Sequence, residues 1–385
     1  MDRVESLLAE AAPVTGALEA AGHSVVLVGG GVRDALLGRP WREIDLATSA
    51  APEELRPLLA ALGRVRDLGF GVVQLRRPGA IYHLARLRQE ADYQDRRHPA
   101  TVHYVNTVQA DLARRDYTVN AIALTPEGGW IDPFGGRVDL TAGTLRALPP
   151  ARARLGEDPL RILRGIRLVS SHRLSAEPAT EAALWQPDAL SGCPRSRADD
   201  ELWRLIQGEA AATAWKHYQP LLRPLWPWAG LPTWQEVPPD PALAVLSLAA
   251  SGGDLEAGLA WLKGRLGDRR HGRLVQLAAL LSSDLPHSAP AERRLASWCT
   301  EGELGWLAAV QPERYQGVWQ RAQAEGVQRC LALRPSAIAR ICERPPGPWL
   351  GPCQEWLWQR VWQDPALNSP SGLTKALAEW RQSAE

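Results

Sequence analysis

Between Val28 and Thr48 the chain reads VGGGVRDALLGRPWREIDLAT, a glycine turn followed closely by two carboxylates. Ser24 to Val28 is an aliphatic run, Gly29, Gly30 and Gly31 break it, and Val32 to Leu37 has the pattern of a short helix closed by Gly38. Glycine lets the backbone come close to an anion, and the N–H groups at a helix start, helped by Arg33, can neutralise a chain of phosphates. Glu43 and Asp45 flank Ile44 in what reads as a strand. The two-residue period puts both carboxylates on one face, where they can hold magnesium, and turns Ile44 and Leu46 toward a core. Either feature alone is common on solvated surfaces. Together, in this order and within about one βαβ length, they fit a metal-dependent phosphoryl-transfer site.

Two further clusters could work with the first. In DLARRDYTVNAIAL, Asp111 to Leu124, an arginine pair and an aspartate stand at the end of an expected helix and lead into a strand. At such a junction one arginine can reach phosphates while the other pairs with Asp116 or a nucleic-acid backbone. In EDPLRILRGIR, Glu157 to Arg167, Pro159 suits the first turn of a helix, which puts Asp158, Arg161 and Arg164 on one face. Asp158 and Arg161 side by side offer an acceptor and donors that could read a base edge; the same spacing also suits a plain intrahelical ion pair.

The elements that must position these residues change character along the chain. As far as about Pro150, short strands expected at Ser24–Val28, Ile44–Ala47, Val72–Arg76 and Ile81–Arg86 alternate with helices, one of them at Pro52–Leu62. Beyond that point long helical periods with proline breaks take over, and fifteen of the 17 tryptophans lie there. Trp203, Trp215, Trp261, Trp306 and Trp319 are expected in its core. The fold class is α+β, with domains expected at 1–150, 151–215 and 216–385. A net charge of +1 gives no global basic field, so any nucleic acid must be met by local patches, and the basic residues are nearly all arginine. The five cysteines lack CxxC spacing, which argues against zinc and for thiols in a reducing compartment. With no signal-like N-terminus and no apolar run of membrane-spanning length, a cytoplasmic protein is expected.

In order and spacing, the three clusters resemble those of the class II tRNA nucleotidyltransferases, the family of CCA-adding enzymes and bacterial poly(A) polymerases within the polymerase β superfamily. GGGVRDALLGR with REIDLAT resembles the head motif, RRDYTVNAIAL is close to an RRDFTINA motif, DPFGGRVDL at Asp132 to Leu140 matches the turn toward the neck, and EDPLR matches EDxxR in full. The likeness covers roughly the first half of the chain. It implies a polymerase β-like head with a mixed sheet, then an all-α neck, body and tail.

The resemblance also implies roles. Gly29, Gly30 and Arg33 would hold a triphosphate, Glu43 and Asp45 would bind two magnesium ions as the catalytic carboxylates, and Asp158 and Arg161 would select CTP or ATP by Watson–Crick-like hydrogen bonds. Arg114, Asp116, Asn120 and Arg164 would line the nucleotide site. The stretch ARLRQEADYQDRRHPATVHYV, Ala85 to Val105, resembles the family's flexible loop. The partner would be the acceptor end of tRNA. Glu43 stands where the family usually has aspartate, and His83 where a glutamate is common; His83 reads as a neutral strand residue facing solvent. RSRADDELWRL, Arg195 to Leu205, resembles the ERIxxEL motif only loosely and reads as a neck helix. The implied activity is addition or repair of the tRNA 3′ CCA end with release of pyrophosphate. Adenine-only or poly(A) addition on the same fold, or a catalytically weakened RNA-binding relative, are the alternatives. A small-molecule nucleotidyltransferase is disfavoured, because the helical body exceeds what a small substrate needs.

Overall fold

A computed structural model describes residues 2–69, 71–93, 99–105, 107–232, 240–282, 295, 299–325 and 331–383. Contacts divide the chain into two compact units, residues 1–225 and 226–385.

The first unit opens with α1 (Arg3–Ala20), β1 (Val25–Val28), α2 (Gly29–Leu36), β2 (Ile44–Thr48) and α3 (Pro52–Ala60), followed by β3 (Arg64–Gly69), β4 (Val72–Arg77) and β5 (Ala80–Arg86). A ribbon of β6 (Arg88–Tyr93) and β7 (Pro99–Tyr104) follows, then α4 (Val108–Ala113), a single turn at Thr118–Asn120, β8 (Ala123–Leu124) and β9 (Trp130–Ile131). The mixed sheet runs β3-β4-β5-β2-β1-β8-β9, with β2 and β5 parallel and the other neighbours antiparallel. The four strands expected from the sequence and the helix near Pro52 are all present. The edge strand β3 was not expected; nearly every residue in it is exposed, and it carries no apolar alternation to betray it.

Both faces of the sheet are covered, which is why β1, VVLV, is apolar throughout and buried at every position. Val25 and Leu27 join Ile44, Leu46, Tyr82 and Leu84 in a core under α1, α2 and α3. Val26, Val28 and Ala47 face the other way, toward Leu112 and Leu148. Asp45 alternates with Ile44 and Leu46, so it takes this second face, and Ile44 and Leu46 pack inward as their spacing requires. α2 starts at Gly29 and not at Val32: the glycines form its first turn, so the break and the helix start coincide.

The chain then adds α5 (Gly136–Thr141), β10 (Thr144–Leu145), α6 (Ala151–Gly156), α7 (Pro159–His172), β11 (Ser175–Ala176), α8 (Pro178–Leu184), α9 (Arg195–Leu205) and α10 (Ala211–Leu222). Asp158 caps α7, accepting from the Leu160 amide at 2.9 Å, and Pro159 occupies the first turn, where no N–H is missed. Leu160, Ile162, Leu163 and Ile166 are buried. The Tyr117 hydroxyl donates to the Arg161 carbonyl at 2.8 Å, joining the sheet region to α7.

The regular elements of the second unit, among its described residues, are all helices, from Pro241–Gly252 to Pro370–Ser383. One of its cores gathers Ile338, Cys353, Leu357, Leu373 and Leu377. Trp306 is buried here and donates to the Ser247 hydroxyl at 2.6 Å. Trp215 is buried in the first unit, whereas Trp203, Trp261 and Trp319 are only half-buried; Trp226 takes a core place that the periodicity did not single out. A tryptophan is too large for helical spacing alone to fix how deeply it sinks. No helix among the described residues is long and apolar enough to cross a membrane.

Candidate active site

One cleft in the first unit, of about 1180 Å³, is lined by every residue to which the resemblance assigns a metal- or nucleotide-binding role, though not by His83. Its floor is the junction of β1, β2 and α2. Gly29 has φ of +73°, which favours glycine, and a Cβ there would lie 2.9 Å from Asp45 Oδ2 and 3.5 Å from Arg115 Nη1. The turn is therefore shaped to bring the helix start, the carboxylate and an arginine together. Gly29→Ala would force a strained backbone costing roughly 1–2 kcal/mol and displace the carboxylate. The expected outcome is a modest fall in Tm and a loss of turnover on the order of 100-fold; turnover unchanged in a steady-state assay would show that the close approach is not needed.

Glu43 and Asp45 keep 45% and 33% of their side-chain surface open. His83 pairs with Asp45 across the parallel β2–β5 register, and its Nδ1 lies 3.4 Å from Glu43 and 3.7 Å from Asp45. The expectation of a neutral histidine facing solvent is thus corrected: parallel pairing, which short-range spacing cannot reveal, turns it onto the acids. Asp45 as hydrogen-bond acceptor raises the His83 pKa above its ordinary value, burial opposes the rise, and Glu43 adds to it. Arg76 Nε donates to Gln74 Oε1 at 2.8 Å, which leaves the Gln74 amide nitrogen to donate to His83 Nε2 at 2.9 Å. The Nδ1–H of His83 then faces the acids. Glu43, Asp45 and His83 cluster, one polar atom of each within 4.8 Å of the others; with the His83 proton turned onto the acids, the two carboxylates are the groups able to hold a divalent cation. The donor set fits, because the two carboxylates supply the hard oxygens that such ions prefer.

A chain of polar contacts runs from this floor to α7. Arg33 is buried; Nη1 donates to Asn120 Oδ1 at 2.6 Å, and Nε and Nη2 both donate to Asp34 Oδ1, at 3.0 and 2.8 Å. Asn120 donates on to Asp116 at 3.1 Å, and Asp116 receives Arg164 Nη1 at 2.6 Å. Burial would push the Asp116 carboxyl up, yet the charge of Arg164 and the Asn120 hydrogen bond hold it well below the usual carboxylate range. Asp34 is likewise depressed: burial opposes, and the His172 hydrogen bond and Arg33 charge prevail. Much of the Arg33 guanidinium is therefore engaged in fixing its neighbours, whereas Arg164 keeps 40% of its side chain open.

Arg114 and Arg115 both bond Asp111, at 2.9 and 3.1 Å, so neither has Asp116 as the expected partner. The i,i+3 and i,i+4 spacings from Asp111 put all three on one helical face, and Asp116 is taken by Arg164. Arg115, which the sequence could not rank against Arg114, is the one beside Gly29, and Arg115 Nη1 also donates to the Asn120 carbonyl at 3.2 Å. Of the two readings left open for Asp158 and Arg161, the charge partner seen for Arg161 is Glu157, with a 2.5 Å contact, and Arg161 Nη1 also donates to the Arg154 carbonyl at 2.9 Å. Asp158 spends one oxygen on its cap, which fixes its rotamer at the cleft edge. Asp34, Arg167 and His172 also line the cleft and were missed; only the approach of α7 to α2 gives them a role. The loop resemblance falls partly outside the described residues, at 94–98.

Residues 25–146 match the poly A polymerase head domain. The chain is 38% identical over 208 residues to a CCA-adding enzyme of Geobacillus stearothermophilus, covering 53% of this chain and 51% of that one. It spans about half the length of the curated relatives it matches. Its fold is similar to the crystal structure of Bacillus stearothermophilus CCA-adding enzyme in complex with CTP, with a TM-score of 0.66 at 26% identity and 98% of each chain covered. A likeness in fold alone extends to Thermotoga maritima CCA-adding enzyme complexed with tRNA, at a TM-score of 0.57, 19% identity and 99% and 98% coverage. Over residues 25–146 the chain is thus similar to the poly A polymerase head domain, and over about half of its length to CCA-adding enzymes.

Proposed function

We propose that this protein is a template-independent tRNA nucleotidyltransferase that adds or repairs the 3′-terminal CCA with CTP and ATP and releases pyrophosphate. The observation that carries the reading is the joining, in one cleft, of paired acids, a glycine-opened helix start and the Asp158–Arg161 edge of α7. The CTP bound to a solved relative of similar fold and the names of the curated relatives support it.

In this reading Gly29 and Gly30 present backbone N–H groups to the triphosphate, and Arg114, Arg115 and Arg164 add positive charge around it. Arg33, Asp116 and Asn120 hold that wall in place. Glu43 and Asp45 hold the divalent ions, assigned here as Mg2+. When bound, these ions make the RNA 3′-hydroxyl more acidic and neutralise charge on the departing pyrophosphate. Asp158 and Arg161 present an acceptor and donors to the incoming base; Glu157 and the Arg154 carbonyl hold the Arg161 guanidinium plane that the base must match. Residues 1–150 serve as the head, 151–215 as the neck, and 216–385 as a body and tail that grip RNA through its phosphates and shape. A cytoplasmic setting accords with Cys193, Cys299, Cys342 and Cys353 being free thiols.

The test is incorporation of labelled CTP and ATP into tRNA lacking its 3′ end. Uptake of both supports the reading, and binding without uptake overturns it. ATP uptake onto unstructured RNA, with no CTP uptake onto tRNA, would instead indicate poly(A) addition. Asp158→Ala and Arg161→Ala are expected to blur the choice between CTP and ATP, since each good bidentate base contact is worth about 1–3 kcal/mol of discrimination. Unchanged CTP/ATP ratios in both variants would remove the selecting role.

A further inference from the structure

The wall of the cleft on the far side of the acids differs from the arginine-rich wall. Strand order places β5, β4 and β3 on one side of β2, and β1, β8 and β9 on the other. On the first side Leu68, Gly69, Gly71, Val72 and Tyr104 line the cleft. Leu68 is 41% exposed and Tyr104 51%, both large apolar groups left open at its mouth.

Local structure creates this exposure. The β3–β4 register shifts between Asp67 and Gly69, a bulge whose extra residue is Leu68, and bulges re-aim side chains. Asp67 holds the bulge, accepting from the Gly69 amide at 2.7 Å and from Arg56 at 2.8 Å. Tyr104 stands opposite Arg88 at the root of the β6–β7 ribbon. That root is anchored: the Val105 amide donates to the Leu87 carbonyl at 3.1 Å, and the Leu87 amide to the Thr48 carbonyl of β2 at 2.8 Å. The Arg86 guanidinium lies 4.3 Å from the centroid of the Tyr104 ring. At Gly71, φ is +75°, and the position a Cβ would take is 3.8 Å from the Tyr104 hydroxyl. The ring is thus solvent-exposed, held in place and met by the Arg86 guanidinium, the composition of a single-strand stacking site.

We propose that Leu68 and Tyr104 form a ledge on which the last base of the RNA acceptor strand stacks, across the acids from the incoming nucleotide. The assignment rests on the function proposed above. Arg86 and Arg88 supply the charge that a flanking phosphate would meet. Because every base has a π-face, such a ledge accepts a cytosine or an adenine terminus alike, as successive additions to one growing end require.

The test uses the full chain and a tRNA minihelix carrying 2-aminopurine at its 3′ end, whose fluorescence is quenched on stacking. The wild-type protein and Tyr104→Phe are expected to quench it. Tyr104→Ala is expected to lose the quench and to raise the KM for minihelix about tenfold, with the KM for CTP unchanged; Leu68→Ser is expected to change both in the same direction. Quenching and RNA KM in Tyr104→Ala equal to wild type would overturn the ledge, as would a loss confined to the KM for CTP. A wild-type protein that quenches the probe yet incorporates no nucleotide sinks the proposed activity and leaves the ledge standing. One that neither binds nor incorporates sinks both.

Discussion

Asp45→Ala is expected to reduce nucleotide incorporation by roughly 1000-fold or more, with RNA affinity and Tm nearly unchanged. The carboxylate is partly open, stands beside Glu43 and His83, and can hold a cation together with Glu43. A metal at such a site supplies several kcal/mol of charge stabilisation, and each ~1.4 kcal/mol is a factor of ten in rate. The fold should not suffer. Asp45 is on the cleft face of β2 while Ile44 and Leu46 carry the packing, and its removal relieves repulsion with Glu43. Single-turnover incorporation and RNA titration separate the two quantities. Full incorporation by this variant would exclude Asp45 as a metal-holding carboxylate; lost incorporation with a large fall in Tm would make the effect structural.

Asp116→Ala is expected to act in the opposite way, through stability first. Removing one member of a buried ion pair leaves an uncompensated charge, at a cost of about 3–5 kcal/mol. Because 40% of the Arg164 side chain stays open to the cleft, water relieves part of that charge, and the lower end, about 3 kcal/mol, applies. For a unit of this size that lowers Tm by about 6–12 °C. Asn120 loses its acceptor at the same time, so the Arg33–Asn120 contact loosens and turnover falls as well. The pH dependence has a definite sign. Asp116, Asp34 and Asp111 all have depressed folded-state values, so their stabilisation is complete above the ordinary carboxylate value near 4 and is lost as pH falls through the folded ones. Acid titration of the wild type should therefore show stability falling below about pH 4, and Asp116→Asn should flatten that slope. An equal slope in the variant would exclude Asp116 as a source of it.

What the sequence disclosed divides along locality. The glycine turn, the Glu43–Asp45 pair and the helix start at Pro159 are local patterns, and the structure realises each within a residue or a few of its expected place. Features set by strand neighbours were hidden. His83 was misread because its neighbours come from β2 and β4, and Leu68 passed unnoticed because a bulge exposes it. The Arg114–Arg115 pair was recognised as chemically able, but its partner could not be chosen while the end of α4 was unknown. In the helical half, the helical periods gave the class of the region, and tryptophan depth was read poorly.

Asp116 and Tyr117 illustrate how chemistry of this kind can be inherited. A polypeptide ending at the close of the sheet region would leave the Tyr117 hydroxyl without the Arg161 carbonyl and the Asp116 carboxylate without Arg164, and would strip from the Tyr117 ring the helix that covers it. The sheet that carries the acids is therefore not a detachable cassette. Recombination that moves it onto another scaffold must carry α7 as well, so the helix at the base-reading edge and the strand that holds the ions are expected to travel through evolution as one piece.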